Sequence, residues 1–172
     1  RNWAKALGWF ERSRGINEAY VAEHPDDDTA ILALGQDYSY AGETLAVLGR
    51  YDEAVASFER EIRLYDRLIE AAGAHELAEA RRIHAGYFLA SIDVDRGELE
   101  AARQRLTALD KSVRKQLALS EDDTRLRETL VAVLRERTVV EAALGERQRA
   151  LGLADAAREA SGLLAAMDSD NL

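Results

Sequence analysis

The side chains in this chain best equipped for chemistry are three histidines, a run of aspartates and two short polar patterns. Their spacing decides what each can do. His75-Glu76-Leu77-Ala78-Glu79 carries the imidazole and carboxylate of a metal-hydrolysis helix, but Glu79 stands where the second imidazole must be. His24 and His84 are not spaced to complete a ligand set with His75. The fragment therefore reads as a charged helix start. Ser112-Val113-Arg114-Lys115 has the spacing of a serine activated by a lysine amine, yet the motifs that accompany such a nucleophile are missing. Asp93-Val94-Asp95-Arg96-Gly97 opens like a calcium loop, but Glu98 and Gln104 occupy the sixth and twelfth places, which need glycine and a bidentate acid. Asp26-Asp27-Asp28 suits the start of a helix, where acids meet the positive end of the macrodipole. Neither glycine pattern that cradles phosphate occurs. The expectation is no catalytic residue, no metal, no cofactor and no enzymatic activity within the chain.

Composition points the same way. The chain has 172 residues, a net charge of −9 and no cysteine, which excludes disulfides, thiolate metal sites and cysteine nucleophiles. A nucleic-acid reader would carry a basic patch, so nucleic acid is not an expected partner. No apolar run approaches the ~18 residues of a membrane span, so no membrane association is expected and a cytoplasmic location is. Residue 1 is arginine, which suggests a piece of a longer protein. Arginine in large excess over the three lysines (Lys5, Lys111, Lys115), with abundant alanine, suggests a bacterial source.

The elements that position these residues follow from a repeat. Ala6, Ala54, Ala102 and Ala150 recur at a constant interval of 48 residues, and Gly49, Gly97 and Gly145 keep the same interval. Such a period marks one supersecondary unit used several times. The glycines suit helix ends that need a left-handed residue. The loops around His24–Thr29, Ala71–Glu76 and Leu119–Thr124 repeat as a second kind of junction. Ser120 and Asp123 match a serine-x-x-acid start signal, predicting a helix from near Glu121. Acid-before-base pairs are expected at Glu121–Arg125 and Asp123–Arg127.

Between the breaks the pattern is helical. Val55, Phe58, Ile62, Tyr65 and Ile69 are 3, 4, 3 and 4 apart, one apolar stripe. Ile31, Leu34, Tyr38, Ala41, Leu45 and Leu48 form another, and Leu106, Leu109, Val113 and Leu117 a third. The spacing predicts an all-α chain of about seven helices, near 3–22, 29–48, 51–71, 75–96, 98–118, 121–144 and 146–167.

Tyr38 to Glu61 resembles a tetratricopeptide repeat, with Gly42, Gly49, Tyr51, Ala54 and Phe58 at that family's small, turn and aromatic positions. Ala90, Gly97, Leu99, Ala102 and Leu106 repeat the set, and Gly145 and Ala150 remain of it in the last copy. Trp3, Ala6 and Phe10 look like the second helix of a repeat whose first helix is missing. The usual unit is ~34 residues, so each helix pair here is longer, similar to variants in the tails of bacterial multidomain signalling proteins. The resemblance implies an α-solenoid of antiparallel helix pairs in one domain over 1–172. Within it, 1–24 is a partial repeat, 25–72, 73–120 and 121–167 are full repeats, and 168–172 is a tail.

It also implies a protein–protein interaction module holding a peptide or partner helix in a groove lined by the first helix of each pair. Carrying the family's groove offsets to this chain selects Gln36, Ser39 and Glu43, then His84, Tyr87, Ser91 and Asp95, then Ala132, Arg135 and Val139. Two alternatives stand beside this. The repeats could space or self-associate, with Trp3, Trp9 and Phe10 offering an apolar patch for a homodimer. Otherwise they could serve a catalytic or signalling domain outside the chain.

Overall fold

The computed structural model describes residues 2–73 and 75–169, in which every regular element is an α-helix. Of the expected tail, 170–172 lie outside the described residues, as does Ala74 in the middle junction. The described residues form seven helices: α1 (Trp3–Glu23), α2 (Asp28–Val47), α3 (Tyr51–Ala72), α4 (Glu76–Asp95), α5 (Leu99–Leu117), α6 (Thr124–Ala143) and α7 (Arg147–Ser169).

Two kinds of junction alternate, each with its own physical device. The first is a tight glycine turn. Gly49, Gly97 and Gly145 have φ of 72°, 74° and 81°, the left-handed region that glycine enters without strain. Each turn closes with paired backbone bonds. Gly49 donates to the Ala46 carbonyl and Arg50 to Leu45, at 2.9 Å each; Gly97 donates to Val94 and Glu98 to Asp93; Gly145 donates to Ala142 and Glu146 to Glu141. These are Schellman closures, which satisfy the last carbonyls of one helix and launch the next.

The second junction is capped by a side chain. Asp27 Oδ1 accepts from the Ala30 N–H at 3.0 Å, and Asp123 Oδ1 accepts from Leu126 at 3.0 Å. At the intermediate position, 48 residues from each, His75 Nδ1 accepts from the Ala78 N–H at 3.3 Å. The histidine that opens the metal-like fragment is therefore the cap of α4. It fills the role of an aspartate, and accepts only as a neutral ring protonated at Nε2.

The last junction differs from two sequence expectations. α6 begins at Thr124, because Asp123 is the capping residue and the Asp123 N–H donates back to the Ser120 carbonyl in a turn. The Arg127 guanidinium donates to the Glu121 carbonyl at 3.0 and 2.6 Å, so it closes that turn instead of pairing with the Asp123 carboxylate. Leu48, placed on the apolar stripe by spacing, is the exposed C-cap of α2.

The chain packs as two compact units, Arg1–Ile92 and Asp93–Leu172. In the first, α1 packs on α2 and α2 on α3. One core cluster joins Leu7, Ala41, Leu45, Ala54, Phe58, Ala85, Leu89 and Ile92, and another joins Val21, Ile31, Leu34, Tyr38, Tyr65, Leu68 and Ala78. Small residues set the approach of α2 to α3. A Cβ on Gly42 would sit 2.9 Å from Phe58 Cζ, and one on Gly35 2.6 Å from the Tyr65 ring. Phe58 in turn stacks on Phe88 of α4, with centroids 5.1 Å apart and planes 6° apart. Tyr38 of α2 links three helices, its hydroxyl donating to Glu18 of α1 and accepting from Arg60 of α3.

In the second unit α5 packs on α6 and α6 on α7. Ala102, Leu106, Leu109, Val113, Leu130, Leu134, Val140 and Ala150 are buried there. Asp110 of α5 accepts from Arg137 of α6 and from Arg114 of its own helix, an ion-pair bridge between the two helices. Of the recurrent alanines, Ala54, Ala102 and Ala150 are buried. Ala6, on the first helix, is half-buried.

Candidate functional site

In the first unit the groove positions divide between a surface and an interior. Gln36 is half-buried and donates through Nε2 to the Tyr40 hydroxyl at 2.7 Å, one turn along α2. The family's offsets put Ser39 on a ligand-facing surface, but the structure buries it to 2% exposure. The cause is the number of neighbours. Helix α2 lies between α1 and α3, so it buries residues all round its circumference, leaving one narrow strip to solvent. Tyr87 and Ser91 are half-buried on α4, and the Tyr87 ring meets Phe88 edge-on with centroids 6.4 Å apart.

Ser39, Glu43 and His84 share an electrostatic neighbourhood whose centre the sequence reading missed. Glu61 of α3 is completely buried, and neither carboxyl oxygen closes a hydrogen bond. Burial raises its pKa from 4.5 to about 8, against the pull of the Ser39 hydroxyl and the Arg81 guanidinium and with a push from Glu43. At neutral pH the fold therefore holds this acid largely protonated. Burial also raises the Glu43 pKa, opposed by Arg81. The His84 ring reaches solvent yet is crowded by neighbours, Phe88 among them at 4.8 Å. That crowding first, and Arg81 second, lower its pKa. Burial raises the Tyr65 hydroxyl as well, with Glu61 adding to the effect.

A signal for Glu61 was present. It lies three residues after Phe58 and four before Tyr65, in the middle of the apolar stripe. An acid at that position must be buried with its stripe.

In the second unit Asp95 is exposed on the last turn of α4. Arg135 and Val139 line an open groove between α6 and α7 of about 450 Å³, together with Thr138, Ala154, Ala157, Arg158 and Ser161. Its wall is mostly apolar, with small residues on α7 and two arginines at the rim. Ala132 is half-buried one turn before this groove. That geometry suits the side chain of a partner backbone lying along the helices, with a guanidinium on each side to meet carbonyl or carboxylate oxygens.

Three of the side chains that looked chemical in the sequence have structural partners. His24 stacks on Tyr20 at 4.3 Å, its ring nitrogen 3.1 Å from the Tyr20 carbonyl, while His75 and Asp27 cap helices. Among the described residues, no three histidine, aspartate or glutamate side chains gather as a metal-ligand set, and no helix is long and apolar enough to cross a membrane. Of the three N-terminal aromatics, Trp9 is exposed. Phe10 packs on Tyr40 at 5.2 Å, and Trp3 is half-buried. The chain matches no protein-family model, no curated protein and no solved structure.

Proposed function

We propose that this chain is a protein–protein interaction module, a non-catalytic scaffold that takes up an extended peptide or partner helix along the first helix of its pairs. The observation that carries the reading is the α6–α7 groove, where Val139 stands 58% exposed beside Arg135, both at positions the tetratricopeptide resemblance selects. An exposed aliphatic side chain in a concavity rimmed by cations is an anchor of the kind that binding surfaces use. Capped, glycine-locked hairpins support the reading, because a rigid surface loses little entropy when a partner docks. On this reading the protein works in the bacterial cytoplasm, in signalling.

The test is a display selection of peptides on the wild-type chain, followed by affinity measurement on Val139→Asp and on Tyr87→Ala with Arg135→Ala. Selected peptides should lose at least ~tenfold in affinity, the scale for losing one anchor, while circular dichroism stays unchanged. Full retention of every selected peptide by both variants would sink the proposal.

A second reading has its own observation. Trp9, Ile16 and Tyr20 of α1 are 60, 71 and 45% exposed, and their spacing puts them on one face of the helix. That face suits self-association or a neighbouring domain. Light scattering of wild type and Trp9→Glu, at high and low concentration, decides it: a monomer throughout leaves no role for the face in dimer formation.

A further inference from the structure

The second unit carries another groove, on a different face of α6 from Arg135 and Val139. Positions 137 and 141 lie roughly 160° and 120° around the helix from position 135, and both roughly 160° from position 139, at about 100° per residue. This groove is about 520 Å³ and is lined by Arg103, Gln104, Thr107, Ala108 and Lys111 of α5, Arg137 and Glu141 of α6, and Arg149 of α7. Four cations and one acid line it, in a chain whose net charge is −9.

The pairing of those cations is incomplete. Lys111 makes no ion pair with any described residue, and Arg149 reaches Glu141 and Glu146 only at 3.9 and 3.8 Å. Arg137 binds Asp110 through Nη1, but its buried Nε–H has no acceptor. The buried Glu141 Oε2 likewise lacks a hydrogen-bond donor. Arg103 is held by Glu100 at 2.5 Å, one turn back on its own helix. An unpaired buried N–H costs more than a typical hydrogen bond contributes, so the α5–α6 contact leaves Arg137 incompletely satisfied.

The cations do not converge on a point. Arg103 and Lys111 are eight residues apart on α5, about 12 Å along the axis at 1.5 Å per residue. Thr107 and Gln104 lie between them, offering a hydroxyl and an amide. A single phosphoryl group would need the cations gathered around it. A row of cations suits carboxylates distributed along a strand, and about 12 Å is the length of roughly four extended residues.

We propose that the α5–α6–α7 groove binds an internal acidic peptide segment, reading side-chain carboxylates with Arg103, Lys111 and Arg149. Glu141 sets where the carboxylates cannot go. The site is distinct from the α6–α7 groove, so either assignment can fail without the other.

The experiment is fluorescence anisotropy at low ionic strength with a labelled peptide carrying glutamate at alternate positions. The same peptide with glutamine in those places is the control. The acidic peptide should bind at least ~tenfold more tightly than the glutamine peptide and lose that advantage in high salt. Arg103→Glu with Lys111→Glu should abolish the difference, and Arg125→Glu with Lys5→Glu, an equal charge change at exposed positions outside the groove, should not. Glu141→Gln should tighten binding severalfold by removing a like charge, which guards the test should the double variant misfold. Equal binding of both peptides to wild type, no effect of the double reversal in a folded protein, or full competition by inorganic phosphate at millimolar level would overturn the proposal. So would tighter binding of a single-stranded oligonucleotide.

Discussion

Replacing Glu61 by glutamine tests the electrostatics of the buried cluster most directly. The amide keeps the shape of the side chain and removes its charge. In the fold the carboxyl titrates near 8, against 4.5 ordinarily. Below pH 4.5 both folded and unfolded chains hold the proton, so there is no linkage. Between 4.5 and about 8 the unfolded chain ionises first while the fold retains its proton, so stability falls as pH rises; above about 8 the loss is complete. At roughly 1.4 kcal/mol for each pH unit across that window, the ceiling is about 5 kcal/mol. Rotation of the carboxylate towards Arg81 and water reduces what is realised, so a loss of about 2 kcal/mol or more is expected. Urea unfolding of wild type and Glu61→Gln at pH 5, 7 and 9 measures it. The variant should match wild type near pH 5 and exceed it at pH 9. Parallel pH profiles for the two proteins, or a variant weaker at every pH, would refute the claim that the fold holds Glu61 neutral.

Three further outcomes follow from the junctions and the packing. His75→Asp should stabilise the chain by about 0.5–1 kcal/mol, since aspartate is the better cap and already serves at Asp27 and Asp123; an unchanged or lowered urea midpoint would show that His75 is not capping α4. Gly97→Ala should cost about 1–2 kcal/mol from the left-handed backbone alone, because no atom lies within 4 Å of the added Cβ; Gly97→Asn should cost less. Gly42→Ala and Ala102→Leu should each cost about 1–3 kcal/mol by overpacking, the first by forcing Phe58 from its place, and thermal melts without loss would remove the close helix approach.

The sequence determined the helices and their junctions, because each rests on neighbours in the chain. The period of 48 residues marked Gly49, Gly97 and Gly145, whose left-handed backbone closes three equivalent turns. The acidic runs marked the junctions where Asp27 and Asp123 cap. His75 stands in the same register, but its capping of α4 is visible only in the structure. Packing decided the rest. An apolar stripe names one buried face, but α2 lies between two helices and buries Ser39 on another. Glu61 lay on the stripe, yet its protonation depends on Ser39, Glu43 and Arg81, brought to it from other helices. The cationic groove draws residues from α5, α6 and α7 across a span of more than forty positions. No periodicity along one helix can encode such a grouping, because it depends on how helices are rotated against each other, and side-chain volumes at the contacts set that rotation.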